Sequence, residues 1–218
     1  MRADGRLMAV GASLLGLALL AGAPERAQAT AVGDTERVVD EVRGSLGTVV
    51  RQLEVPDQVF TEETIDTGDE GATRIVFLDG TELIMGPRSR VTLDRFVYDP
   101  ATQDGSMSLN LVSGLFEFAS GLMPSSGYDL RTPFANLAIR GTVILVMVEE
   151  AAQRVTLAAP QGAVRIFDAA APDGYLEVAD DKSCVVWQLG RGEPQPLDQC
   201  GALIEAVQRP QSRLDTGF

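Results

Sequence analysis

Two copies of Asp-Thr-Gly, at residues 66–68 and 215–217, come closest in this sequence to catalytic machinery. Aspartic proteases use two such carboxylates side by side to share one proton, and the pair works only when both turns are held inside a core. The second copy lies one residue from the C-terminal end, with no apolar strand after it to hold a strained turn. Both copies therefore read as polar turns. Other acidic turns (Asp66, Asp69 and Glu70; Asp99 and Asp104; Asp168 and Asp173; Asp180 and Asp181) could offer hard oxygen ligands, yet none keeps the alternating spacing of a loop that wraps one cation. Asp is common in turns because its side chain bonds the local backbone, and that accounts for them. Nucleophilic catalysis has still less to draw on. There is no histidine, no G-x-S-x-G elbow, no phosphate-cradling glycine loop, and a single lysine at Lys182. No catalytic residue, metal ligand or cofactor is nominated, and a hydrolase is the least favoured reading.

The two cysteines, Cys184 and Cys200, enclose a short loop, and a disulfide is expected. A bridge of that span contributes about 3 kcal/mol by chain-entropy arithmetic. The alternatives are two free thiols or a two-ligand metal site, for which no histidine is present to complete a zinc shell. Phe116, Phe118, Phe134, Tyr98 and Tyr128 could stack on sugar rings, although aromatics in strand-like runs are more often core.

The compartment follows from the N-terminus. Arg2 and Arg6 precede an apolar stretch at residues 7–23, and Ala27-Gln28-Ala29 supplies a small-x-small cleavage site, so export with cleavage after Ala29 is expected. No cysteine follows the apolar stretch and the two arginines are not adjacent, which argues against lipoprotein and twin-arginine routes. The net charge is −13. Such a charge repels nucleic acid and anionic membrane surfaces and suits a freely diffusing exported protein. No later stretch is apolar enough to cross a bilayer, so no stable membrane insertion is expected after cleavage.

From residue 46 onward, short β-prone runs alternate with turn signals at the spacing of an all-β domain. The runs cover residues 47–53, 58–60, 73–78, 82–85, 90–97, 107–112, 115–118, 154–158, 163–167, 175–178 and 184–189, with a central pair between them. Asp79-Gly80 marks the clearest hairpin and predicts a type I′ turn. Ser113-Gly114 and Gln161-Gly162 read as further turns. The central pair occupies residues 128–148, two period-2 runs joined at Arg140-Gly141. Its second half, TVILVMV, is apolar on both faces and predicts a strand covered on both sides. An arginine in that setting predicts a buried guanidinium forked onto a carboxylate or carbonyls, with Gly141 making a tight turn. Residues 30–45 fit either a short helix or a ragged leader. Residues 188–199 read as a loop, and residues 201–218 as a helical turn followed by a flexible tail. So many hairpins must stack, either as a β-sandwich or as a β-solenoid.

The run LRTPFANLAIRGT resembles the T-P-x-A-x-x-x-I-R-G-T core of FecR-type periplasmic domains, through Thr132, Pro133, Ile139, Arg140, Gly141 and Thr142. Further blocks agree in order: I-x-T-G (Ile65, Thr67, Gly68), F-x-D-G-T-x-L (residues 77–83), G-P-x-S (86–89), L-D-R-F-V-Y-D-P (93–100) and the glycine- and phenylalanine-spaced run 105–121. Departures fall at Pro56-Asp57, at Glu117 and at Ala138. The resemblance implies an all-β periplasmic domain over residues 46–200. In the namesake systems such a domain sits in a membrane-spanning regulator that relays a receptor signal to a sigma factor. This sequence shows no cytoplasmic anti-sigma segment or transmembrane helix, so that direct role is not expected of it. The expected function is a non-enzymatic protein-binding or signalling module in the cell envelope, periplasmic or secreted, with another envelope protein as partner. A cell-envelope glycan binder is the alternative.

Overall fold

A computed structural model describes residues 29–170, 174–179, 183–188, 191–196 and 200–216. The expected export segment lies outside the described residues apart from Ala29, as do Asp173, Asp180, Asp181 and Lys182. The strands in order are β1 (Ala31–Val39), β2 (Val42–Leu46), β3 (Val49–Gln52), β4 (Gln58–Phe60), β5 (Thr64–Thr67), β6 (Ala72–Phe77), β7 (Glu82–Met85) and β8 (Arg90–Tyr98). There follow β9 (Gly105–Ala119), β10 (Tyr128–Arg131), β11 (Ala135–Glu149), β12 (Arg154–Asp168), β13 (Tyr175–Val178), β14 (Ser183–Gln188) and β15 (Arg191–Pro196), and then the helix α1 (Gly201–Thr216).

All fifteen strands belong to one hydrogen-bonded sheet that folds over on itself. One layer runs β4-β1-β6-β7 and continues through the second halves of β9 and β11, the first half of β12, then β14 and β15. The other runs β3-β2-β5-β8, through the first half of β9, β10, the first half of β11 and the second half of β12, to β13. Among the described residues, only β9 and β10 pair in parallel. The three long strands are thus shared by both layers, which makes a β-sandwich rather than a solenoid.

A glycine marks the fold line in each shared strand. Gly114, Gly141 and Gly162 all have positive φ, at 101°, 147° and 94°. A Cβ on Gly141 would stand 2.4 Å from the Gly162 Cα, so the two bends can nest only because both residues lack side chains. Register with β12 slips at this point. The slip also flips the phase of β11: Ala135, Leu137 and Ile139 face the core before the bend, and Ile144, Val146 and Val148 face it afterwards. Leu145 and Met147 are thereby turned to the outer face, where α1 covers them. The expectation of a central strand covered on both sides holds.

The core lies between the layers. Phe77 stacks on Phe96 at 5.9 Å, and Phe118 meets Tyr128 edge-on at 5.5 Å, each pair joining one layer to the other. Outside this core, Leu203, Val207 and Leu214 of α1 bury the outer apolar stripe formed by Leu115, Leu145, Ala158, Ala72 and Ile84. The expected Cys184–Cys200 disulfide is formed and ties the start of the helix to β14. Towards its other end, Arg213 reaches Asp40 at 2.5 Å and Arg74 reaches Asp215 at 3.0 Å.

Several expectations need correction. Residues 30–45 are no leader: they form β1 and most of β2, with Val32, Thr35 and Val42 fully buried. Irregular register in β1, on both its β4 and β6 sides, broke the alternation that would have revealed it. The loop expected at residues 188–199 contains β15, and residues 201–216 form a full helix with Pro210 inside it rather than one turn and a tail. Asp79-Gly80 is not type I′, since only Gly80 has positive φ. Most consequentially, Arg140 is exposed and makes no ion pair among the described residues, so the buried guanidinium fork does not exist. Arg140 and Gly141 lie inside β11 at the sheet bend, where the solvent face of a strand accepts a charge at no desolvation cost.

Candidate recognition site

The blocks that carried the family resemblance converge on two buried polar knots. In the first, the Thr67 hydroxyl donates to the Gly86 carbonyl at 2.6 Å and accepts the Ser89 N–H at 2.8 Å. The Ser89 hydroxyl donates to the Leu115 carbonyl at 3.1 Å and accepts the Leu115 N–H at 2.9 Å. A Cβ on Gly114 would come within 2.3 Å of the Ser89 hydroxyl, so glycine is required where β9 bends past this knot. The two hydroxyls thus satisfy buried backbone groups of the β7–β8 loop and of the β9 bend.

The second knot surrounds Asp79, fully buried at the β6–β7 turn. Its carboxylate accepts the Thr81 N–H at 3.0 Å, the Thr81 hydroxyl at 2.7 Å and the Tyr128 hydroxyl at 2.9 Å. The Thr81 hydroxyl in turn accepts the Gly121 N–H at 3.0 Å. Burial pushes the Tyr128 phenol up to about 12, with the Asp79 carboxylate adding to the effect. Asp79 and Gly80 are expected from their types only to turn the chain; that the aspartate also holds Tyr128, and thereby the opposite layer, depends on contacts between residues far apart in the chain. The core motif behaves similarly: the Thr132 hydroxyl donates to the Ala135 carbonyl and accepts the Ala135 N–H, both at 2.9 Å, closing the turn that exposed Pro133 occupies. Ile139 is core, and Thr142 follows in β11.

None of these groups is presented to a ligand, and they do not assemble into one site. The first knot alone lies behind one wall of a cleft of about 550 Å³ between the sheet and α1. One wall comes from the β7–β8 loop (Pro87, Arg88) and the bend of β9 (Ser113, Gly114, Leu115), directly above the Thr67–Ser89 knot, and from the end of β11 (Met147 to Glu149). The other comes from Ala206, Arg209, Pro210 and Arg213 of α1. Arg88 and Arg209 are exposed at its rim, and among the described residues Arg209 has no ion-pair partner. Sequence reasoning missed this cleft because half of it depends on a helix that had read as a tail.

Glu117, noted as a departure from the family pattern, lies further along the helix–sheet seam and accepts a hydrogen bond from Gln211. Desolvation beneath the helix raises its pKa, partly offset by Arg74. Of the five aromatics considered as a sugar platform, Phe116, Phe118 and Tyr128 are buried, and Phe134 and Tyr98 are half-buried against the core. The two Asp-Thr-Gly carboxylates are engaged separately, Asp66 with Arg90 and Asp215 with Arg74.

Comparison with known proteins agrees with the motif reading. Residues 63–165 match the family model described as FecR protein, so the chain carries a FecR-type domain over that stretch. Two crystal structures of a "putative anti-sigma factor" from Parabacteroides distasonis align with TM-scores of 0.48 and 0.47 at 14% identity. The alignments cover 61% of this chain and 59% of the other, so the chain spans less than two thirds of that protein. No curated protein matches the sequence.

Proposed function

We propose, from the FecR-type domain at residues 63–165, that this is an exported, non-enzymatic recognition module that engages an envelope protein through the cleft between its sheet and α1. The observation that carries this reading is where the polar groups of the domain are spent. The buried side chains best suited to chemistry, Asp79, Tyr128 and Glu63, are bound to structural partners: Glu63 takes Arg51 at 3.0 Å and the Phe60 N–H at 2.9 Å. The cleft instead offers an apolar floor edged by both arginines (Arg88, Arg209, Arg213) and carboxylates (Asp69, Glu70, Glu149), a mixed rim of the kind found around recognition surfaces. The burial of Phe116, Phe118 and Tyr128 leaves the glycan alternative with fewer candidate stacking residues than the protein-binding reading has cleft residues.

The test is affinity capture from envelope extracts with tagged protein, beside a variant carrying Arg88→Glu and Arg209→Glu. One envelope protein enriched by the parent and not by the variant supports the reading; repeated failure to enrich any protein contradicts it. N-terminal sequencing of the same preparation addresses export, with Thr30 as the expected first residue.

A further inference from the structure

We infer that the outer face of the second layer, across the sandwich from α1, binds a neutral linear glycan. In this layer β8 to β13 stand side by side, and residues facing the core alternate with residues facing outward. Ladder register sets Thr92, Asn110, Arg131, Asn136, Phe167 and Tyr175 in one outward row across these strands. At the usual strand spacing the row is about 24 Å long. It continues to Thr64 of β5, whose hydroxyl meets that of Thr92 at 3.0 Å.

Much of the row's polar capacity is not spent within the chain. The Asn110 and Asn136 side chains are half-buried and make no hydrogen bond among the described residues. Beside them the Ser108 hydroxyl, outward between core residues Met107 and Leu109, is 3% exposed and also has no partner there. Polar groups withdrawn from water in this way call for a partner from outside. At the β13 end Tyr175 is 55% exposed and lies 5.6 Å from Phe167, with the Arg165 guanidinium 4.6 Å from its ring centre. Hydroxyls and carboxamides both donate and accept, as sugar hydroxyls require, and an exposed ring takes the apolar face of a sugar. The row holds no aliphatic side chain, so it lacks the apolar centre of a protein interface. Charge selects a neutral ligand. Asp129 pairs with Arg131 and Glu177 with Arg165 at 2.6 Å, which leaves no cationic track along the row, and a net charge of −13 repels acidic polymers. A row that repeats strand by strand suits a chain of repeating units.

The probes are hexamers of β-1,4-linked glucose and of β-1,4-linked N-acetylglucosamine, titrated into the full chain. Amide shifts with at least one hexamer should fall on β9 to β13 and not on the cleft, and affinity should rise from dimer to hexamer. Tyr175→Ala should weaken binding about tenfold and Asn136→Ala about threefold, while Arg88→Glu with Arg209→Glu should leave it unchanged. Failure of both hexamers to bind at ~10 mM, shifts that map elsewhere, or preference for a sulfated glycan of the same length overturns the inference. Should Tyr175→Ala fail to fold, the shift map of the parent protein decides. Protein capture through the cleft is independent of all these outcomes.

Discussion

At the scale of single residues, the glycine rather than the arginine of the Ile-Arg-Gly-Thr motif sustains the fold. Arg140 is exposed, so Arg140→Met should change stability by no more than about 0.5 kcal/mol in chemical denaturation. Gly141→Ala must displace Gly162 and place a side chain at φ 147°, and should cost about 3 kcal/mol or more in the same measurement. The opposite ranking would make the arginine, and not the glycine, the residue that sustains the fold. Tyr128 yields a prediction in pH. Its folded pKa lies near 12 against an ordinary 10, so between these values the folded chain keeps a proton that the unfolded chain has lost. Stability is therefore unaffected below pH 10 and falls as pH rises through that window. Phenolate absorbance should show one late-titrating tyrosine, absent in Tyr128→Phe, and the variant should lose that share of the alkaline destabilisation.

At the scale of elements, α1 is held by both packing and ties. Replacing Cys184 and Cys200 by serine should lower unfolding free energy by about 3 kcal/mol and raise exchange in the first turns of the helix. Glu117 tests the seam from the other side. Because its folded pKa is raised, the folded state takes up a proton before the unfolded state does, and stability rises as pH falls from that raised value to the ordinary carboxylate range. Glu117→Gln should remove this rise, visible as a difference between the two melting curves across pH. These elements also show what could be read from the sequence. Strands such as β4, β7 and β13 were legible to the residue, since alternation bounded by turns is a local signal. β9 and β12 each read as two strands, and the centre of β11 read as a turn. Gly114, Gly141 and Gly162 carry the same local signature whether a chain reverses or a sheet folds, and only the neighbouring strands decide between them. The cleft was illegible for a related reason. Its outer wall is a helix containing a proline, whose stability comes from the sheet beneath it.

At the scale of the whole molecule, a FecR-type domain folded at three glycine lines is bordered by a helix that lies outside residues 63–165. The cleft is thus composite: the family domain supplies one wall and the C-terminal segment the other. Partner choice, on this account, depends on residues of α1 outside the family domain as well as on the family blocks at 86–89 and 105–121. The most direct test places a photoreactive residue at Met147, on the cleft wall, and another at Val97, an exposed position on β8 outside the cleft, in cells expressing the protein. Recognition through the cleft predicts an adduct with one envelope protein from position 147 and none from position 97. No adduct from 147, or the same adduct from both positions, would contradict it.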